Sequence, residues 1–235
     1  NIFLGSANST IPTDGSVTKL GTGLNGKKIK HIEIPDFITV VSRSAFGGCT
    51  ELETVVLHDK IQEIEEYAFA GCTSLREIVI PSSVTYIGEG VFSSCSALET
   101  ISLEGNTNYR FAGNCLIEIA TGRLISGTNR SVIPDDGSVK IIGNFAFSEL
   151  NELTELYIPD SVVTIEAHAF SEMENLKKLV IPGSVTTIEA YAFEYLPSLV
   201  ELEIPGSVET LGAFTISLCV GLKTLRFGEG LKYIE

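Results

Sequence analysis

Cysteine is scarce: five residues among 235 are too few for a disulfide scaffold. No apolar run approaches the roughly 18 residues that a membrane-spanning helix needs, which excludes that class. Basic side chains are the minority, 16 Lys and Arg against 30 Asp and Glu, for a formal net charge of −14. A field of that sign repels phosphate backbones and anionic lipid, so nucleic acid and bare membrane are poor partners. An initiator methionine and a basic leader are also missing. The chain opens Asn1-Ile2-Phe3-Leu4-Gly5, as if a targeting segment had been removed. There is no nucleophile elbow and no zincin motif. Acidic pairs are abundant only because the surface is acidic, so they nominate no glycosidase site. What the chain has in quantity is apolar side chains, 44% of residues, enough for a continuous core and too many for disorder.

Those apolar residues recur. Ile-Pro appears at Ile11-Pro12, Ile34-Pro35, Ile80-Pro81, Ile133-Pro134, Ile158-Pro159, Ile181-Pro182 and Ile204-Pro205. The gaps from Pro12 to Pro35, and from Pro159 to Pro182 to Pro205, are 23 residues, and His58 holds the Pro position midway between Pro35 and Pro81. A second marker agrees: Phe46, Phe69 and Phe92 are 23 apart, as are Phe147, Phe170 and Phe193. Two markers with one period define a repeat architecture.

One rung runs from Leu75 through Ile78, Ile80, Pro81, Val84, Ile87 and Phe92 to Cys95. Its Leu-x-x-Ile-x-Ile segment alternates as a strand with one buried face does. Proline then removes a donor and ends the pairing. Val-x-x-Ile gives a second short extended piece, and the stretch around Ala-Phe is expected to be a helical or 3-10 turn on the opposite side. No rung buries its apolar residues alone; stacking does it, in ladders of Leu, Ile, Val and Phe.

The period breaks once. Phe92 and Phe147 are separated by one period plus 32 residues, and the extra stretch, about residues 104–131, reads as a β-hairpin around Thr121-Gly122. The chain's start, from Phe3 to Val17, parallels the end of that insertion, so it is expected to begin inside an interrupted rung. Leu231 to Ile234 ends it inside another. The expectation is a single domain over residues 1–235 that is a fragment of a longer protein.

The pattern Leu-x-x-Ile-x-Ile-Pro-x-x-Val-x-x-Ile-x-x-x-Ala-Phe-x-x-Cys-x-x-Leu resembles the BspA-type leucine-rich repeat of bacterial surface proteins. Residues 75–98 fit it closely, and 153–176 and 176–199 fit with Met173 and Leu196 at the Cys position. The insertion is similar to one in that family, with Asn-x-x-Tyr, then Asn-Cys-Leu-Ile-Glu, then Thr-Gly-x-Leu-Ile-x-Gly. The expected fold is an α/β solenoid. It would be a right-handed leucine-rich-repeat superhelix with a parallel concave sheet, short second strands and helical or 3-10 convex turns, interrupted by the hairpin. The resemblance implies a secreted or cell-surface location and, for some members, adhesion to host or microbial proteins. Scaffold does not fix task.

Some motifs invite other readings. Gly21-Thr-Gly23-Leu-Asn-Gly26-Lys27-Lys28 nearly fits a phosphate-binding loop, but Lys28 stands where Ser or Thr must hold magnesium. A strand, not the required helix, is expected next. Cys49, Cys72 and Cys95 fall on one ladder with Leu150, Met173, Leu196 and Cys219, so free buried thiols are expected there rather than a metal site. Cys115 lies off that ladder and is expected to be more accessible. His31, His58 and His168 do not cluster and read as surface positions.

In such a coil the outward residues of the first strands line the concave face. They are His31 and Glu33, Thr54 and Val56, Glu77 and Val79, Thr100 and Ser102. Beyond the insertion come Glu155 and Tyr157, Lys178 and Val180, Glu201 and Glu203, Thr224 and Arg226. Solenoids commonly bind proteins on such a face, whereas few aromatics there argue against a sugar ligand. Tyr109, Arg110 and Phe111 of the insertion form a second candidate contact. The function expected is that of an extracellular, monomeric binding or adhesion module for a host-matrix or microbial surface protein. It would be no enzyme and would use no cofactor. The alternative is a passive spacer in a larger surface protein.

Overall fold

The structure, a computed structural model, describes residues 18–235, which fall into two compact units, one ending at Arg110 and the other spanning Phe111–Glu235. The interrupted rung expected at the start of the chain lies outside the described residues. Each unit is a stack of β-coils whose period is written in the backbone register: His31 lies opposite Thr54 and Glu155 opposite Lys178, one sequence repeat apart.

In the first unit the second strands of successive rungs make one continuous parallel sheet, from Lys19–Leu20 through Val40–Val41 and Glu63–Ile64 to Tyr86–Ile87. The second unit builds a separate parallel run of the same kind from Ile141–Ile142, Thr164–Ile165, Thr187–Ile188, Thr210–Leu211 and Tyr233–Ile234. The first strands pair only two by two. His31–Glu33 joins Thr54–Val56 and Glu77–Pro81 joins Thr100–Glu104. In the second unit Glu155–Tyr157 joins Lys178–Val180 and Glu201–Ile204 joins Thr224–Phe227. The continuous sheet is therefore the one expected to be minor, and the expected concave sheet is a series of strand pairs.

The turn side corrects the expectation of helix. Among the described residues the only regular helix is the 3-10 turn Thr22–Leu24. The reason lies in where the N–H groups go. Those of Tyr67, Phe69 and Gly71 donate to Glu89, Val91 and Ser93 of the next rung at 2.8–3.0 Å. The alternate groups of Ala68, Ala70 and Cys72 turn back to Glu65, Tyr67 and Phe69. A helix needs every interior N–H for its own ladder; here alternate ones serve the neighbour. The backbone also enters the left-handed region at every fourth position, as at Ser44 and Gly48 (φ 53° and 68°), Tyr67 and Gly71 (56° and 72°), and His168 and Glu172 (55° and 60°).

The inserted stretch is not a hairpin hung on a rung. Cys115–Glu118 does run antiparallel to Arg123–Ser126, with Ile117 opposite Leu124. Arg123–Ser126, however, then pairs in parallel with Ile141–Ile142 and so starts the second unit's sheet. Cys115, Leu116, Ile117 and Leu124 are all buried, so the insertion forms wall and core of the coil. Cys115 is consequently inaccessible, contrary to expectation.

Packing within the coils follows the ladders. Phe46 stacks on Phe69 at 5.1 Å, and Phe147, Phe170 and Phe193 stack at 5.3 and 5.9 Å. Each fully buried side chain of this size contributes about 1.5–3 kcal/mol of transfer free energy. Glutamates tie rungs together from the turn side. Glu65 accepts the Arg43 N–H (2.8 Å), Glu166 the Asn144 N–H (2.9 Å) and Glu189 the Ala167 N–H (3.1 Å), each from the preceding rung.

Candidate functional site

The alternation that buries Ile32, Val55, Ile78 and Leu156 to varying degrees turns their neighbours outward. In the first unit His31, Glu33, Thr54, Val56, Glu77, Val79, Thr100 and Ser102 are exposed on one face. In the second, Glu155, Tyr157, Lys178, Val180, Glu201, Glu203 and Arg226 are exposed, and Thr224 is half-buried. Parallel pairing sets them side by side: Glu33 beside Val56, Val79 beside Ser102, Tyr157 beside Val180, Glu203 beside Arg226.

Local bonds hold several of these groups. His31 Nδ1 and Thr54 Oγ1 are hydrogen-bonded at 2.5 Å, and His31 Nε2 lies 3.7 Å from Glu33 Oε1. Tyr157 is fixed more firmly. Its hydroxyl donates to Glu155 Oε2 at 3.0 Å and accepts from Lys178 Nζ at 2.8 Å, while that ammonium also stands 4.9 Å from the centre of the ring. The phenol oxygen raises the Lys178 pKa by accepting from its charged form.

Grooves open where the first strands are not hydrogen-bonded to each other. One in the first unit, about 420 Å³, is lined by Thr54, Arg76, Glu77 and Thr100. One in the second unit, about 360 Å³, lies among Lys178, Val180, Glu201, Glu203 and Arg226. The largest of the three, about 540 Å³, lies between residues 131–135 and the strand Glu155–Tyr157. Nothing in the sequence marks these grooves, because strand pairing by twos leaves no trace in the repeat consensus.

The other candidates change character. Tyr109 is 2% exposed, and its hydroxyl donates to Thr85 O at 3.2 Å, so it is a packed wall residue rather than a contact. Arg110 and Phe111 are half-buried. The glycine-rich stretch is a shortened turn: Gly26, at φ 67°, donates to Gly47 O at 2.7 Å, and the strand His31–Glu33 follows.

The cysteine ladder has a role that sequence reasoning missed. Cys49, Cys72, Cys95 and Cys219 each donate their thiol proton to a carbonyl one rung back, on Leu24, Phe46, Phe69 and Phe193, at 3.0–3.3 Å. Burial pushes the thiols of Cys95 and Cys115 up to about 12 and raises that of Cys72 as well, so none is a poised nucleophile. His168 sits between the Phe145 and Tyr191 rings at 4.8 Å to each, half-buried rather than on the surface.

No helix of the described residues is long and apolar enough to cross a membrane. No curated protein matches the chain in sequence. Among solved structures it is similar to a leucine rich cell surface protein from Faecalibacterium prausnitzii A2-165. That match has 29% identity and a TM-score of 0.69 over 85% of this chain and 60% of that one. It is also similar to a leucine-rich repeat protein from Eubacterium ventriosum ATCC 27560, with 25% identity and a TM-score of 0.53, over 86% of this chain and 61% of that one. The pneumococcal vaccine antigen PcpA shares the fold, at 24% identity and a TM-score of 0.80, over 86% of this chain and 52% of that one. The chain thus spans less than two thirds of each of these proteins. The profile of the BspA type leucine rich repeat region matches residues 23–122 and 126–235 in six copies, and the chain belongs to that family.

Proposed function

We propose that this chain is an extracellular protein-binding or adhesion module of a bacterial cell surface, and that the first-strand face is where it meets its partner. The observation that carries this reading is the exposed side chains on the first-strand face of each unit, in register within each strand pair. Val56, Val79, Tyr157 and Val180 stand there among charged and hydroxyl neighbours, each at least 38% exposed. Apolar groups set in a polar surround are what a protein partner buries. The cell-surface protein of Faecalibacterium prausnitzii among its structural relatives supports the location. On this reading the partner is a host-matrix or microbial surface protein, the chain acts as a monomer without a cofactor, and it binds rather than catalyses.

The test is a panel of immobilised matrix and bacterial surface proteins, probed with wild type and two folded variants, Val56→Glu/Val79→Glu and Tyr157→Ala/Val180→Glu. Saturable wild-type binding that one variant loses assigns the face of the corresponding unit. Binding that both variants retain removes the face from the reading. No binding to any panel member turns the weight to a spacer that carries other segments of a longer protein.

A further inference from the structure

The second unit's first-strand ladder begins on an open edge. Lys178 N–H donates to Thr154 O and Ile158 N–H to Val180 O, at 3.3 and 3.2 Å, so the backbone of residues 154, 156 and 158 serves the next rung. Parallel strands use alternate residues for alternate neighbours. The N–H and C=O groups of Glu155 and Tyr157 therefore face the other way, toward residues 131–135. That segment is not a strand and makes no ladder with them. Its Ser131 N–H turns back to Thr128 O, its Val132 N–H donates to Gly113 O at 2.8 Å, and Pro134 has no N–H. Among the described residues no backbone hydrogen bond crosses the gap.

The gap is the groove of about 540 Å³. Leu156, Ile133 and Ile158, all buried, supply its apolar floor, and Val132, 72% exposed, stands on its rim. The Tyr157 ring, held by Glu155 and Lys178, stands at the other side. The charged residues of its lining are Asp135, Glu155 and Asp160, all acidic and all exposed. The other two grooves differ in this respect, since each includes basic side chains, Arg76 in one and Lys178 with Arg226 in the other.

We infer that this groove receives an extended segment of a partner polypeptide carrying lysine or arginine, added as a strand along Glu155 and Tyr157. Strand addition at an open edge supplies backbone bonds, and pockets for alternate side chains supply selectivity. Carboxylates on the lining and a net charge of −14 select a basic segment over an acidic one. The inference rests on the protein-binding reading above and narrows it to one site and one chemistry.

The experiment is fluorescence anisotropy at low salt with a labelled Thr-Lys-Val-Lys-Val-Thr peptide. Its comparators are a Lys-to-Glu version and two versions N-methylated on alternate amides. Wild type is compared with Asp135→Asn/Glu155→Gln/Asp160→Asn and with a charge-matched control, Glu104→Gln/Glu174→Gln/Glu229→Gln. Expected are saturable binding of the basic peptide by wild type and control, binding about tenfold or more weaker in the groove variant, and loss of binding with one of the two methylated registers. Equal weakening in control and groove variants would reduce the effect to overall charge and overturn the inference. So would unaltered binding of both methylated peptides, or no binding of the basic peptide by wild type. If wild type binds no peptide yet still captures a panel protein, the groove falls and the broader reading stands.

Discussion

At the scale of single residues the turn side sets tight limits. Tyr67 and Gly90 occupy the same position of successive rungs, both left-handed, and a Cβ on Gly90 would lie 2.5 Å from Tyr67 Cε1. Gly90→Ala is expected to destabilise by about 1–3 kcal/mol, read from the urea midpoint, through φ strain and overpacking. Tyr67→Ala in the same chain should return part of that loss, because it removes the colliding ring. The thiols give a second prediction at this scale. At pH 8 a disulfide reagent should label the half-buried Cys219 first, while Cys49, Cys72, Cys95 and Cys115 react only on unfolding. Comparable labelling of Cys115 in the folded protein would contradict its burial. That the ladder residues are buried was legible in the sequence, since Phe69 and Cys72 repeat at one period, whereas the burial of Cys115 and Tyr109, off the ladder, was not. That a Cys thiol donates to a carbonyl one rung back was not, because Leu150, Met173 and Leu196 fill the same position without a donor.

At the scale of the element, the outer turns of the second unit carry an aromatic stack of Phe145, His168, Tyr191 and Phe214 with centroids 4.8–5.2 Å apart. Burial lowers the His168 pKa below its ordinary 6.5, and Glu194, 3.6 Å away, pulls it the other way without prevailing. The unfolded chain therefore takes up the proton first as pH falls. Stability conferred by neutral His168 is complete well above 6.5 and declines as pH drops through that value toward the lower folded one. Urea midpoints measured from pH 7.5 downward should show this slope, and His168→Phe, which matches Phe145 and Phe214, should flatten it. An unchanged slope in the variant would place the titration elsewhere. The strands themselves were legible from alternation and the Ile-Pro punctuation. The turn's local composition, Ala-Phe among Glu and Tyr, points to a helix that the structure does not form. Only the bonds to the neighbouring rung, which a single rung's sequence does not contain, override that preference.

At the scale of the whole molecule, the repeat makes each unit a chain of nearest-neighbour contacts. Phe170 touches Phe147 on one side and Phe193 on the other and is fully buried. Phe170→Ala should cost about 3–5 kcal/mol. In hydrogen exchange the lost protection should centre on the rungs of Phe147, Phe170 and Phe193 and fade beyond them; uniform loss across the second unit would argue for a single cooperative block. That the candidate residues are outward within each unit was legible, because side-chain alternation and a fixed period specify it. The grooves were not, since pairing by twos is a property of strand separation rather than of residue type.

The bonds from Phe46 to Ala68, Phe69 to Val91 and Phe170 to Ala192 all run from one rung to the next. Tension applied along that direction would strain one rung's set at a time rather than shear many together. Each 23-residue rung that yields would release about 75–83 Å of chain. Pulled from its ends, either unit would lengthen rung by rung, each of its regular rungs adding a step of about that size.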